Sequence, residues 1–418
     1  MIVKKEKKKA VVPKLRFPEF RESEGWDLKH GDELFDAINN RSPSEALPIL
    51  AITQEHGAIP RDQIDYHVSV TAQSIESYKV VEKGDFIISL RSFQGGIEYS
   101  SYRGICSPAY VVLRRKGEGS DGYFRHLFKS ARFIQQLTRN IEGLRDGKMI
   151  SYKQFSEQLI SVPAPTEQKK IADCLTSLDE LIAAQGRKVE ALKTYKRGLM
   201  QQLFPREGET LPRLRFPEFR DAPEWKEVPL GDLFDTSSGG TPDRTKREYW
   251  TGTIPWVTTS LVDFNVITKV DESISEAGLE NSSAKVFPGG TVLIAMYGQG
   301  KTRGKVAMLG IPAATNQACA AILPNDDVDN GFTFVSLCGR YEEMRKLSNS
   351  GGQENLSQAL IRALPFRYPK DVDEQSKIVE CFSEIDALII GEDEKLNALK
   401  IHKEGLMQQL FPNLEYTK

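Results

Sequence analysis

Residues 167–205 read EQKKIADCLTSLDELIAAQGRKVEALKTYKRGLMQQLFP, and residues 374–412 read EQSKIVECFSEIDALIIGEDEKLNALKIHKEGLMQQLFP. The two align without a gap at an offset of 207 residues and share GLMQQLFP outright. In the first, Ile171, Leu175, Leu178, Ile182, Val189, Leu192, Leu199 and Leu203 recur at steps of four and three. In the second, Ile378, Phe382, Ile385, Ile389, Leu396, Leu399, Leu406 and Leu410 do the same. That spacing puts one apolar stripe along a helix and predicts a coiled-coil seam. Thr166 and Asp373 suit the N-caps, and Pro205 and Pro412 end the ladders. Each helix would run about 55 Å at about 1.5 Å per residue.

The repetition extends beyond the helices. PKLRFPEF at 13–20 returns as PRLRFPEF at 212–219, and Trp26 and Leu34-Phe35-Asp36 return as Trp225 and Leu233-Phe234-Asp235, all at an offset of 199 residues. The chain is therefore a tandem duplication of a unit of roughly 200 residues. In each unit, short β runs (GDFIISL and AYVVL; TVLIAMY and ACAAIL) sit between turn-forming clusters, with helical pieces such as YFRHLFKSARFIQQL among them. The expected architecture is α+β: two similar α/β heads separated by two long antiparallel coiled-coil helices, a dumbbell with pseudo-twofold symmetry. The divisions are a basic tail (1–12), a first head (13–165), a first spacer helix (166–205), a second head (206–372), a second spacer helix (373–412) and a short tail (413–418). Gln185 and Glu392 interrupt the seam at the midpoints of the helices. They are expected to meet at the pseudo-dyad and fix the register, or to be partly exposed gaps in the stripe.

Composition narrows the class. The chain has 418 residues, 39% apolar, with a formal charge of −2, so nothing in the totals advertises nucleic acid and any basic surface must be local. Five cysteines lack C-x-x-C pairing and the five histidines do not cluster beside them, which argues against zinc or a disulfide framework and for a reducing cytoplasm. No apolar run reaches the ~20 residues that span a bilayer.

One stretch imitates nucleotide chemistry. VLIAMYGQGKTRGKVA (292–307) contains GQGKT, but Ala295 stands where a phosphate-binding loop needs its first glycine, and Gly304 follows almost at once. A strand pattern on both sides predicts a β-hairpin tip, not the helix opening that cradles phosphate. The matching EKGDFIISLRSFQGGIEYS of the first unit keeps the strand and glycines without GK[ST]. What the two tips share is polarity: Arg91, Gln94 and nearby Arg103 in one, Gln299, Lys301 and Arg303 in the other. Arg and Lys suit guanine edges and phosphates, while Gln and Asn suit adenine. Arg145 and Lys148 in LRDGKMIS, Arg244, Lys246 and Tyr249 in SGGTPDRTKREYW, and Gln353 and Asn355 in SGGQENLS complete the candidate DNA contacts. Two comparable but unlike heads suit a bipartite site on duplex DNA, whose helical repeat is about 34–36 Å. A coiled-coil adaptor between two proteins is the alternative, and an NTPase at GQGKT the least supported reading.

The paired LRFPEF segments, SGGTP…YW…IPWV, G-KVA…ATNQACAAI and the two E-Q-x-K-I…GLMQQLFP helices together resemble the specificity (S) subunits of type I restriction–modification enzymes. The resemblance covers essentially the whole chain. It implies two target-recognition domains, each reading half of a split sequence, with helices acting as a ruler. It also implies two methyltransferase (M) subunits that use S-adenosylmethionine to methylate adenine N6, and restriction (R) subunits that use ATP and Mg. This chain would then hold no catalytic residue, metal or cofactor of its own, consistent with its lack of an Asn/Asp-Pro-Pro-aromatic signature. CSPAY replaces TNQAC in the first head, so the two halves are expected to read different half-sites.

Overall fold

The computed structural model describes residues 11–41, 47–64, 75–139, 150–298, 301–347 and 355–414. The chain divides into two compact units, Met1–Gly186 with Glu394–Lys418, and Arg187–Asp393. Each unit therefore holds one head, the start of the helix that leaves it, and the end of the helix that reaches it.

The second unit is built on a five-stranded sheet in the order Thr236–Ser238, Cys319–Ile322, Val292–Ala295, Val306–Leu309, Asn265–Ile267. Neighbours are antiparallel except the last pair, which is parallel. VLIA and CAAI are buried on both faces, which is why they read as continuous apolar runs rather than alternating ones. Val292 and Ile294 face a core shared with Phe332, Phe366, Ile378 and Phe382. Leu293 and Ala295 face a second core with Val257, Val262 and Phe287. A four-stranded sheet (Ser273–Ile274, Ile254–Val257, Ala313–Thr315, Val286–Phe287) flanks it.

The first unit repeats the frame on a smaller scale. Its sheet runs Phe35–Ile38, Val111–Arg115, Phe86–Ile88, Glu98–Tyr99. Phe35 sits within 5.1–5.8 Å, centroid to centroid, of Phe86, Phe124, Phe128 and Phe155, so the core is largely aromatic.

Both long helices are present, Pro165–Leu203 and Val372–Leu410, each continuous over 39 residues. They begin earlier than expected, and the caps move with them. Pro165 occupies the first turn, where its missing N–H costs nothing, and the Ala164 carbonyl accepts from the Gln168 N–H. In the second helix the Asp371 carboxylate accepts from the Asp373 N–H at 2.9 Å, so Asp371 caps and Asp373 is capped. Within each unit the helix segments run antiparallel. In the first, Lys403 Nζ bonds Asp179 Oδ1 at 2.5 Å; in the second, Lys196 Nζ bonds Asp386 at 2.6 Å. The two bridges are copies of one another at the 207-residue offset.

The duplicated signatures prove to be a clamp. Arg16 of the first LRFPEF grips Glu167, the first residue of E-Q-x-K-I, at 2.8 and 2.7 Å, with both side chains buried. Arg215 grips Glu374 in the same way at 2.7 Å twice. The adjacent leucines bind the end of the other helix: Leu15 N–H donates to the Gln409 carbonyl, and Leu214 N–H to that of Gln202. The GLMQQLFP ends then dock as core. Leu410 and Phe411 join the first head's cluster with Trp26 and Tyr123, and Leu203 and Phe204 the second's with Trp225 and Phe332.

Candidate nucleic-acid interface

In the second unit the 292–307 stretch is a hairpin. Val292–Ala295 pairs antiparallel with Val306–Leu309, and the Gly304 N–H closes onto the Ala295 carbonyl at 2.8 Å. Residues 301–304 form a turn that leads straight into a strand, so no helix opens at Lys301-Thr302 to hold phosphates. Gly304 has φ +83°, a left-handed conformation that accounts for the glycine. The Tyr341 hydroxyl donates to the Lys301 carbonyl at 2.6 Å, fixing the tip's backbone while the Lys301 side chain stays exposed. Arg303 is half-buried. Gln299 and Gln353 lie outside the described residues. Asn355 is exposed, and its neighbour Leu356 donates to the Met296 carbonyl at 3.0 Å, so Asn355 and Leu356 lie beside the first strand of the hairpin.

Arg244, Lys246 and Tyr249 occupy a second cluster. The Arg244 guanidinium lies 3.6 Å from the Trp250 ring centroid and 4.7 Å from that of Trp256, and pairs with Glu272 through two bonds of 3.0 and 2.8 Å. That pairing holds the Glu272 carboxyl below its usual range. Lys246 is exposed and donates to the Tyr249 hydroxyl at 3.0 Å, whereas the Tyr249 ring is only 6% exposed. Tyr249 therefore offers a wall to this cluster rather than a free donor. Gly240 N–H donates to the Thr315 carbonyl at 2.8 Å, and a Cβ on Gly239 would collide with that same oxygen. The glycines of SGGTP thus let the loop lie directly on TNQAC, where Thr241 bonds the exposed Gln317 at 2.5 Å. Residues 258–264 connect this cluster to the hairpin: Thr258, Ser260 and Leu261 line a cavity of about 350 Å³ with Arg244 and Trp256, and Lys305 Nζ bonds Asp263 at 2.6 Å.

Phe264 ends that connection with φ +54°, the left-handed region, in a chain where every other positive φ among the described residues belongs to glycine. Such a conformation costs a side chain with Cβ on the order of 1–3 kcal/mol.

The first unit presents a different surface on the same frame. Arg91 and Gln94 are exposed on the turn after Phe86–Ile88, held by Lys129, whose ammonium binds the Gly95 carbonyl at 2.9 Å and Glu98 at 2.5 Å. Burial pushes the Glu98 carboxyl up, and Lys129 opposes that. Arg103 is exposed and pairs with Glu82 at 3.1 Å. Arg145 and Lys148 lie outside the described residues. Of the two residues that interrupt the seam, Glu392 is 7% exposed and bridged by Lys188 at 3.0 Å, and Gln185 is half-buried.

Sequence reading missed Phe264, Glu272, Gln317, Lys129 and Tyr341. The aromatic YW and IPWV pairs carried a signal for the Arg244 stack, since Trp is the best face for a guanidinium. Nothing local marked Phe264. Among the described residues no group of three or more His, Cys, Asp or Glu side chains could hold a metal ion, and no helix is long and apolar enough to cross a membrane.

Twin frames with unlike polar tips describe a recognition protein, and comparison with known proteins supplies the family. The model of the type I restriction modification DNA specificity domain matches residues 23–194 and 223–400. The specificity subunit of MjaVIII from Methanocaldococcus jannaschii is 22% identical over 94% of this chain and 93% of its own. That of EcoR124I/EcoR124II from Escherichia coli is 24% identical over 56% of this chain, and that of MjaIX 26% over 46%. The chain spans 57% and 43% of those last two relatives. A solved S subunit from M. genitalium superposes with a TM-score of 0.54 at 16% identity, over 96% of this chain and 99% of that one. A chain from a structure of type I R-M complex assembly gives 0.59 at 18% identity, over 93% and 98%. These two likenesses concern the fold. This chain belongs to the specificity-subunit family of type I restriction–modification systems.

Proposed function

We propose that each head reads one half of a split DNA sequence, that the long helices set the spacer, and that the chain carries two methyltransferase subunits and, for cleavage, restriction subunits. The observation that carries this reading is one frame built twice with different tips: Arg91 and Gln94 on the first, Lys301, Arg303 and Asn355 on the second. Phosphate contacts from Lys and Arg give salt-dependent affinity, and base-edge contacts are worth about 1–3 kcal/mol per discriminated pair. Catalysis belongs to the partners: S-adenosylmethionine would sit on the methyltransferases, ATP and Mg on the restriction subunits. Two copies of one partner fit a duplicated chain. Leu181 and Leu388, equivalent at the 207-residue offset, are 51% and 55% exposed off the seam of their helices.

The test is a methylome of cells expressing this chain with its methyltransferase, together with gel shifts of the complex across salt concentrations. A single bipartite motif with adenine methylation is expected, bound specifically with a steep salt slope. Absence of any motif, with no DNA retained at low salt, favours the protein–protein adaptor instead.

A further inference from the structure

We propose that Phe264 is a wedge that enters a base step of the half-site read by the second head, an inference that rests on the DNA-binding reading above. A residue at φ +54° is ordinarily glycine or asparagine, because a Cβ crowds the backbone there. Here the chain holds a phenylalanine, and the fold makes little use of its ring for the interior. The residue is 40% exposed. Its inner edge meets the Tyr341 ring at 5.2 Å and 85°, which props it without covering it.

The backbone on either side is tied down. Phe264 N–H donates to the Val306 carbonyl at 2.7 Å, Asp263 N–H to Asn265 Oδ1 at 2.9 Å, and the next residue enters the parallel pairing Asn265↔Ala307. A ring on such a turn is rigid, projecting and pre-ordered. Cations sit on the residues that flank or prop it: Lys305 pairs with Asp263, Arg345 lies 5.5 Å from the Tyr341 ring centroid, and the Tyr341 hydroxyl binds the carbonyl of exposed Lys301. An exposed apolar side chain close to basic residues is the composition of DNA wedges, which part a base step and kink the duplex. Parting a step near the target lowers the cost of extruding the adenine to be methylated.

The device belongs to one head. The parallel bridge Ala58↔Ser100 in the first unit matches Ile267↔Leu309 in the second, since Gly84 and Gly290 donate to the carbonyls of Ser100 and Leu309 alike. Counting back three residues from Ala58 and from Ile267 gives Glu55 and Phe264, so the first head has an acid where the second has the ring.

The experiment uses the complex of this chain with its methyltransferase partner, on duplexes carrying the methylome-defined site. 2-Aminopurine replaces one base at a time across both half-sites, the methylated adenines excepted. The wild type should give a several-fold fluorescence rise at one step of the second half-site and none that depends on Phe264 in the first. Phe264→Asn, which tolerates the backbone conformation, should abolish that rise and weaken specific binding at least tenfold. It should melt no lower than the wild type and keep the same salt slope, because the phosphate contacts remain. Phe264→Leu should retain most of the rise. A Phe264→Asn complex that binds within twofold and gives an unchanged fluorescence profile overturns the wedge while leaving the DNA-reading function standing. A wild-type complex without sequence-specific binding overturns that function and the wedge with it.

Discussion

Arg16 and Arg215 stand at the same place in LRFPEF, and each makes four hydrogen bonds, two to the glutamate at a helix start and two to carbonyls of its own head. Arg215 binds both oxygens of Glu374 and also the carbonyls of Ala222 and Pro223, while Trp225 Nε1 donates to the same carboxylate at 3.2 Å. Removing one partner strands a buried charge, so Glu374→Ala should cost about 3–5 kcal/mol. Arg215→Met combined with Glu374→Leu should recover most of it, as chemical denaturation of the single and double variants would reveal. His126 gives a second residue-scale prediction. It is 3% exposed, with its Nε2 3.2 Å from Thr176 Oγ1 and its Nδ1 3.8 Å from Asp179. Burial lowers its pKa to about 4, Asp179 works against that, and Lys403 and Arg125 add to it. The unfolded chain therefore binds a proton that the folded one refuses between about pH 6.5 and 4. Stability should fall as pH drops through that window, by on the order of 3 kcal/mol from this group. Melting His126→Gln beside the wild type across that range should show a flatter profile for the variant.

At the scale of elements, the long helices are decided by periodicity and only trimmed by tertiary structure. None of the sixteen seam residues is exposed, whereas Tyr195, Leu181, Leu388, Ile390 and Ile401, all off the seam, are. Their start points shifted because proline at the first turn and an aspartate cap at 371 compete better than the residues one or two places on. An insertion of four residues after Gln185, with a matching one after Glu392, lengthens each helix by about 6 Å. The spacer in the recognised sequence should grow by one or two base pairs, read from the methylome of cells carrying the variant. An unchanged spacer would count against the ruler.

For the molecule as a whole, the duplication makes the heads separable in function. Exchanging residues 221–370 for those of another specificity subunit should change one half of the recognised motif and leave the other, with methylome sequencing as the measure. If both halves changed, the assignment of one half to each head would be wrong. The duplication, the two long helices, the β runs GDFIISL, AYVVL, TVLIAMY and ACAAIL and the hairpin pairing within 292–307 were legible in the chain, because identity at fixed offset and apolar periodicity are properties of neighbouring residues; YFRHLFKSARFIQQL, read as one helical piece, is two helices, Asp121–Leu127 and Ala131–Thr138. The clamp was not: Arg16 and Glu167 are 151 residues apart, and Arg215 and Glu374 159, so both signatures were visible without any sign that they touch. Nor was the fate of the candidate contacts. A loop arginine reads alike whether it is free or, like Arg244, stacked on two tryptophans and paired with Glu272, because sequence records which groups can donate and not which have already found a partner. Tertiary structure alone placed Phe264 on a strained turn, since a left-handed φ is imposed by the strands on either side and leaves no mark on the residue itself.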